Sequence, residues 1–181
     1  MAHYYPPPSF HFAVEFDFKS TKKIKPSLLS DQDTLFQSVS GLNAEFQTES
    51  IQEGGQNQFE HVIPTRTRYS DLVLKRGVLK DSGVIQWCRK AIERYEIEPI
   101  NITVKLFGIQ PPNNQSPNNQ SQVQTLVTWN IYHAWPKKWS VSDLNAEQSE
   151  LLVETIELAY NYFTVEHSAP YLKRTDYATG N

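Results

Sequence analysis

Six side chains could form the heart of a nucleophilic, acid–base or metal site: His3, His11, His61, His133, His167 and Cys88. Zinc sites need imidazoles or thiolates in close pairs, a few residues apart. No two of the six stand at such a spacing. A GxSxG elbow, a glycine-rich phosphate loop and a DxDxDG calcium loop are all missing. Cys88 follows Trp87 on an apolar helical stripe, so it reads as an inert buried thiol. Trp129, Trp135 and Trp139 have the type and spacing to line a sugar-stacking platform on a β-sandwich, or equally to anchor a core or an interface. Asn101-Ile102-Thr103 and two Asn-Gln-Ser triplets fit the glycosylation acceptor pattern, which has meaning only on an exported chain. The expectation is a protein without catalytic residues, metal ligands or cofactor, and not an enzyme.

Charge and composition narrow the partners. The chain has 181 residues, 39% apolar and 20% charged, with net charge −3 and an isoelectric point near 5.9. It lacks the basic surplus that drives phosphate binding, which disfavours nucleic-acid binding as the main task. A mean hydropathy of −0.54 is polar for one domain that must bury most of its unfolded surface. Neighbouring copies are expected to complete that burial. One cysteine excludes an intramolecular disulfide framework. No apolar run approaches the ~20 residues that span a bilayer, and the first residues lack the basic and apolar regions of a signal peptide. Synthesis and folding in the cytoplasm are expected.

The elements follow from periodicity. Residues 1–9 hold Tyr4-Tyr5-Pro6-Pro7-Pro8, which cannot be helical and reads as an extended arm. Phe10, Phe12, Val14, Phe16 and Phe18 alternate with polar residues, a half-buried strand. Residues 20–34 read as a surface excursion carrying a short turn. A strand is expected over Leu35–Val39, and Ser40-Gly41 turns the chain. Leu72-Val73-Leu74 form a short strand that ends in Lys75-Arg76-Gly77. Asp81 or Ser82 caps a helix whose stripe is Val84, Trp87, Cys88, Ala91, Ile92 and Tyr95. Pro99 stops it, and Ile100 to Leu106 alternate as a strand. Residues 110–122 carry the tandem Pro-Asn-Asn-Gln-Ser repeat, an exposed loop, before a strand over Val123–Tyr132. Pro136 excludes a central ladder position beyond it. Ser149–Phe163 fits both periods, and its Glu, Leu and Ala content leans towards helix. The tail over 167–181 is small, polar and charged.

One segment stands out by its polarity. Glu45, Gln47, Glu49, Ile51 and Glu53 share one parity; Ala44, Phe46, Thr48, Ser50 and Gln52 share the other. Gly54, Gly55, Gln56 and Asn57 reverse the chain, the glycines permitting positive φ, and a return arm is expected over Gln58–Pro64. Each arm is about ten residues, on the order of 30 Å. Phe46, Phe59, His61 and Ile63 can face a core near the base, but both faces are polar or small towards the tip. An isolated ribbon of this kind is marginal in water, and its open edges invite another chain. Its carboxylates either line a water-filled space in an assembly or protect the ribbon from aggregation.

The chain resembles the T4-like tail-tube protein family of contractile phage tails and phage-tail-like contractile injection systems. The stretches that carry the likeness are Tyr5-Pro6-Pro7-Pro8-Ser9-Phe10-His11-Phe12, Phe36-Gln37-Ser38-Val39-Ser40-Gly41-Leu42, Glu53-Gly54-Gly55-Gln56-Asn57 and Leu74-Lys75-Arg76-Gly77. Trp129-Asn130, Ala134-Trp135-Pro136, Asp143-Leu144-Asn145-Ala146 and Ile156-Glu157-Leu158-Ala159 follow in order. The resemblance implies a mainly β fold, an antiparallel β-sandwich or barrel with one flanking α-helix, occupying residues 10–166 with inserted loops at 20–34 and 110–122. It also implies that 149–166 is a strand. Copies would form hexameric rings stacked into a hollow tube, with the long hairpin contributing to the lumenal barrel. About 24 strands at ~4.8 Å, tilted roughly 40°, close a circle about 45–50 Å across and leave a channel of some 30–40 Å.

On that resemblance Glu45, Gln47, Glu49 and Glu53 face the lumen, and Arg66, Arg68, Lys75, Arg76 and Trp135 are candidates for contacts between subunits, rings or sheath. The implied partners are copies of the chain, other tube, sheath and baseplate or spike-hub proteins, and a lumenal cargo of protein or DNA, with no membrane insertion. The proline-rich arm, the Ala134-Trp135-Pro136 stretch and the extra segments resemble the baseplate-proximal tube-initiator class; the main repeating tube subunit is the alternative. A carbohydrate-binding β-sandwich is the reading from another class.

Overall fold

The computed structural model describes residues 11–18, 31–51, 59–80, 82–110, 122–145 and 151–168. The proline arm, most of the 20–34 excursion, the Pro-Asn-Gln repeat, the Gly-Gly reversal and the tail beyond 168 lie outside the described residues. Among the described residues, nine strands, β1 Phe12–Asp17, β2 Ser38–Ser40, β3 Ala44–Ile51, β4 His61–Tyr69, β5 Leu72–Gly77, β6 Ile100–Gln110, β7 Gln122–Val141, β8 Val153–Ala159 and β9 Tyr162–His167, accompany one α-helix, α1 Gly83–Arg94.

Seven strands pair in the order β1-β6-β7-β8-β5-β2, with β9 also on β7. The long strand β7 makes this a sandwich. Its first part lies between β6 and β9, and Trp135 onwards it lies against β8. The change of partner falls at His133, whose φ of 55° turns the strand. The corner is stapled by His133 N–H donating to Asn101 Oδ1 at 3.2 Å and Asn161 N–H to the Tyr132 carbonyl at 3.1 Å. Pro136 follows on the portion of β7 paired with β8 alone, at a register shift. A residue without an N–H is tolerated at such an edge. Among the described residues the end strands β1 and β2 do not pair with each other, and the described strands form an open sandwich.

Inward parity builds the core. Val14 and Phe16 of β1, Ile102 and Val104 of β6, and Ile131 of β7 meet Leu72 and Leu74 of β5 and Ile156 and Leu158 of β8. Helix α1 adds Val84, Trp87 and Cys88, its first turn capped by Ser82, whose side chain accepts from Ile85 N–H. Trp87 buries its ring and donates to the Glu98 carbonyl at 2.9 Å. The helix ends on Tyr95 in the left-handed region, φ 56°, before Pro99 is reached. Ile92 and Tyr95, expected on the buried stripe, are exposed.

Several boundaries differ from the sequence reading. The strand expected at Leu35–Val39 is Ser38–Ser40; Leu35 is exposed, and a 3₁₀ turn at Asp31–Thr34 precedes it. The described part of the segment, residues 151–163, is extended, as the resemblance implied against its helical propensity. It is two strands rather than one, because the chain turns at Tyr160-Asn161 and crosses to the other sheet. Pairing on both sides of β8 overrides local preference there. The return arm of the hairpin is longer than expected and runs through Pro64 to Tyr69.

Candidate functional site: an exposed ribbon on a self-sufficient body

Strands β3 and β4 form a two-stranded sheet of their own, paired with no other described strand. Every residue of β3 is exposed, as is every residue of β4 but Tyr69. A register shift between Phe46 and Thr48 inserts an extra residue in β4, marked by Thr65 Oγ1 donating to the Gln47 carbonyl at 3.0 Å. Directly opposed residues of an antiparallel pair share a face. Glu45, Glu49 and Ile51 therefore stand with Arg68, Ile63 and His61. Phe46, Thr48 and Ser50 stand with Thr67, Pro64 and Val62. The bulge exchanges the parity of β4 half-way along, so Ile63 and Phe46 occupy opposite faces.

This corrects the expected core contact at the ribbon's base. Phe46 is 68% exposed and Val62 61%, while Phe59, Ile63 and Ile51 are also exposed. Glu53 and the reversal Gly54, Gly55, Gln56 and Asn57 lie outside the described residues. Glu45 and Glu49 are on one face, as expected, but they share it with Ile51 and Ile63 rather than forming an acidic strip.

The root of the ribbon is fixed firmly. Gly41 adopts φ +91°, and a Cβ there would lie 1.9 Å from the Asp71 carbonyl oxygen. Glycine alone fits, because the chain both needs the left-handed region and passes backbone at close range. Tyr160 donates its hydroxyl to the Gly41 carbonyl at 3.0 Å. Burial, with Tyr69 and Asp71 nearby, pushes that phenol up to about 12. Tyr69 packs its ring against Tyr160 and Phe163 at centroid distances of 5.9 and 5.5 Å. A polar cleft at the root is lined by Glu45, Arg68, Ser70, Asp71 and Lys137, with Lys137 paired to Asp71.

The candidate contact residues separate. Arg66 and Arg68 lie in β4 and are exposed, with Arg68 opposite Glu45. Lys75 points outward from β5, and Trp135 is half-buried on β7. Arg76 is not a surface residue at all. It is 2% exposed, with Nε donating to Glu154, Nη1 to Asp33 at 3.2 Å and Nη2 to Ser82 Oγ. The Phe36 ring covers its guanidinium at 5.1 Å. Asp33 also accepts from Ser82 and from Gly83 N–H at the start of α1, where the helix dipole favours a carboxylate.

Arg76 thus ties three segments of one chain together. Its role was missed, although parity carried the signal: Arg76 shares the inward face of β5 with Leu72 and Leu74, and Glu154 shares that of β8 with Ile156 and Leu158. The two residues are direct cross-strand partners.

The remaining candidate chemistry does not converge. Trp129 and Trp139 pack against the core, so the three indoles share no exposed platform. Burial, with Glu154 adding to it against the opposing effect of Arg76, pushes the Cys88 thiol up to about 12. Among the described residues no group of three or more His, Cys, Asp or Glu could hold a metal ion, and no helix is long and apolar enough to cross a membrane.

Among the described residues, an antiparallel β-sandwich with one flanking helix carries a two-stranded ribbon that no other described strand joins. The chain belongs to the family described as T4-like virus tail tube protein gp19, whose model matches residues 8–164. No curated protein matches it. Among solved structures it is similar to a chain of the anti-feeding prophage baseplate, six-fold symmetrised, at 25% identity, covering 91% of this chain and 98% of that one with a TM-score of 0.71. It is similar in fold to a chain of the anti-feeding prophage tube-terminating cap (23% identity, 93% and 95% covered, TM-score 0.66). The same holds for a chain of the sheath–tube complex of an extracellular contractile injection system, PVC, in the extended state (22%, 91% and 93%, TM-score 0.64).

Proposed function

We propose that the chain is a structural, non-catalytic layer of the inner tube of a contractile injection particle. Copies close into hexameric rings, the rings stack into a hollow conduit for cargo, and sheath contraction drives the conduit through a target envelope. The observation that carries this reading is the ribbon: 17 strand residues in β3 and β4, rooted by Gly41 and Tyr69 and, beyond that root, covered by no other described element. Apolar side chains stand on both its faces, as a contact with other copies requires. Sheath and baseplate or spike-hub proteins are the further partners. The particle assembles in the bacterial cytoplasm and acts after release or anchoring.

Within the tube, a baseplate-proximal initiator layer is favoured over the main repeating subunit. The TM-score of 0.71 to a baseplate chain, against 0.64 to a sheath–tube chain, supports that placement. Native mass spectrometry and negative-stain imaging of the purified chain test the conduit reading. Six-membered rings or hollow rods are expected, and a strict monomer at high concentration overturns it. Copy number in the purified particle separates the two layers: one or two rings for an initiator, dozens for a repeating subunit.

A further inference from the structure

We infer that Tyr132 and Tyr162 are a site of oxidative cross-linking, where a peroxide acting through a haem peroxidase joins the two rings carbon to carbon and bolts β9 to β7. The bond needs only the folded chain. Its use, hardening a particle that has left the cell, rests on the function proposed above.

The two tyrosines are direct cross-strand partners at the end of the β7–β9 ladder. Their neighbours Ile131 and Phe163 turn towards the core, so by strand alternation both phenols stand on the opposite side. Tyr162 is exposed and Tyr132 half-buried. Their rings stack with centroids 4.7 Å apart and planes 22° from parallel, at the close end of the roughly 4.5–7 Å range of aromatic pairs. The corner beside them holds this register. Asn161 N–H donates to the Tyr132 carbonyl at 3.1 Å, and the Asn161 side-chain amide meets His133 Nδ1 at 3.1 Å. Two rings fixed so close react as parts of one molecule, not by chance encounter.

The chemistry balances with one peroxide. Each phenol gives up an electron and its hydroxyl proton, leaving two phenoxyl radicals with spin on the ring carbons next to oxygen. Those Cε carbons form the new bond. Each ring then regains its aromaticity by moving the Cε proton to its own oxygen. Two electrons and two protons leave in all, and the peroxide takes them to become two waters.

Tyr69 and Tyr160 show what the site requires. Their rings are also close, but 5.9 Å apart and tilted by 54°. The Tyr160 hydroxyl donates to the Gly41 carbonyl, and burial, with Tyr69 and Asp71 nearby, pushes that phenol up to about 12. A carbonyl is no base, so the proton that must leave with the electron is retained. Interception by a thiol is blocked as well, because Cys88 is buried and a thiol reacts as its exposed thiolate. Among the described residues β9 pairs with β7 alone, so the new bond closes the Tyr132–Tyr162 loop on a strand that one ladder holds.

The test treats dilute full-length chain with limiting hydrogen peroxide and a haem peroxidase. A monomeric product lighter by two hydrogens is expected, with dityrosine fluorescence and a bond that fragment mass spectrometry places between Tyr132 and Tyr162. Tyr132→Phe and Tyr162→Phe should each lower the monomer's dityrosine fluorescence at least fivefold, and Tyr69→Phe should leave it unchanged. A bond mapped to Tyr69 and Tyr160 overturns the site. So does fluorescence that survives Tyr162→Phe, or oxidation of the exposed Tyr95 with no bond between Tyr132 and Tyr162. For the hardening role, cross-linked rings are expected to unfold at least ~4 °C above untreated ones. An equal midpoint overturns that role and leaves the site standing, whereas failure to form rings overturns the conduit reading and the role together while the bond in the monomer is unaffected.

Discussion

In the body, Arg76, Asp33 and Glu154 leave water and find one another; on the ribbon, Glu45, Arg68 and Phe46 keep water around them. The two regions use similar residues and the same alternating pattern. They differ in what stands opposite. Each inward position of β5 and β8 meets a second sheet or α1, so even a charge there is forced into partnership. Beyond Tyr69 at its root, no described residue covers either face of β3–β4. Removing water from a charge costs several kcal/mol unless a partner replaces it, so the body's charges stabilise one monomeric arrangement. The ribbon's side chains remain available for a contact that another copy supplies.

The sharpest way to break this contrast is Arg76→Met. It leaves Asp33 and Glu154 buried without their cation, and chemical denaturation at neutral pH is expected to show a loss of about 3–5 kcal/mol. An unchanged midpoint would mean that the cluster is hydrated rather than internal. Cys88 reports the same interior by its protons. Its folded pKa is raised above its ordinary value, so the folded state holds the proton more tightly than the unfolded one. The resulting stability is fully present below pH 9 and is lost as pH rises from about 9 towards about 12. Thiol labelling at pH 8 should be undetectable in the folded chain and rapid in denaturant.

At the junction of the two regions, Gly41→Ala forces a Cβ against the Asp71 carbonyl in the left-handed region. A loss of at least about 1–3 kcal/mol is expected in thermal or chemical unfolding, with the ribbon's root disturbed first. The smallest effect on folding belongs to the ribbon itself. Phe46→Glu with Val62→Glu should leave monomer stability within about 0.5 kcal/mol, yet abolish rings and rods under the microscope. A large loss of monomer stability would place these side chains in an intrachain core and erase the contrast.

Much of the body was readable from period-two patterning: Phe12 to Asp17, Leu72 to Gly77 and Ile100 onwards alternate because one face is core. The helix was readable from its stripe and Ser82 cap, except that Ile92 is exposed and Tyr95 is the exposed, left-handed C-cap. Where sequence reading stopped, nonlocal pairing decided. Nothing in Ser149–Phe163 announces that β8 will be paired on both sides, and local propensity pointed to helix. The ribbon's isolation was legible from its polarity. Its faces were not, because one extra residue in β4 between Thr67 and Pro64 exchanges them. Arg76 was read as a surface charge from its type, when its parity with Leu72 and Leu74 already placed it inside.

The central claim, that β3–β4 is incomplete alone and is finished by sister copies, is tested most directly by amide hydrogen exchange on dilute chain and on assembled rings. The amides of residues 44–51 and 61–69 are expected to exchange quickly in the dilute chain and to gain protection on assembly, while those of β6 and β8 stay slow in both. Ribbon amides equally protected in both states would contradict it.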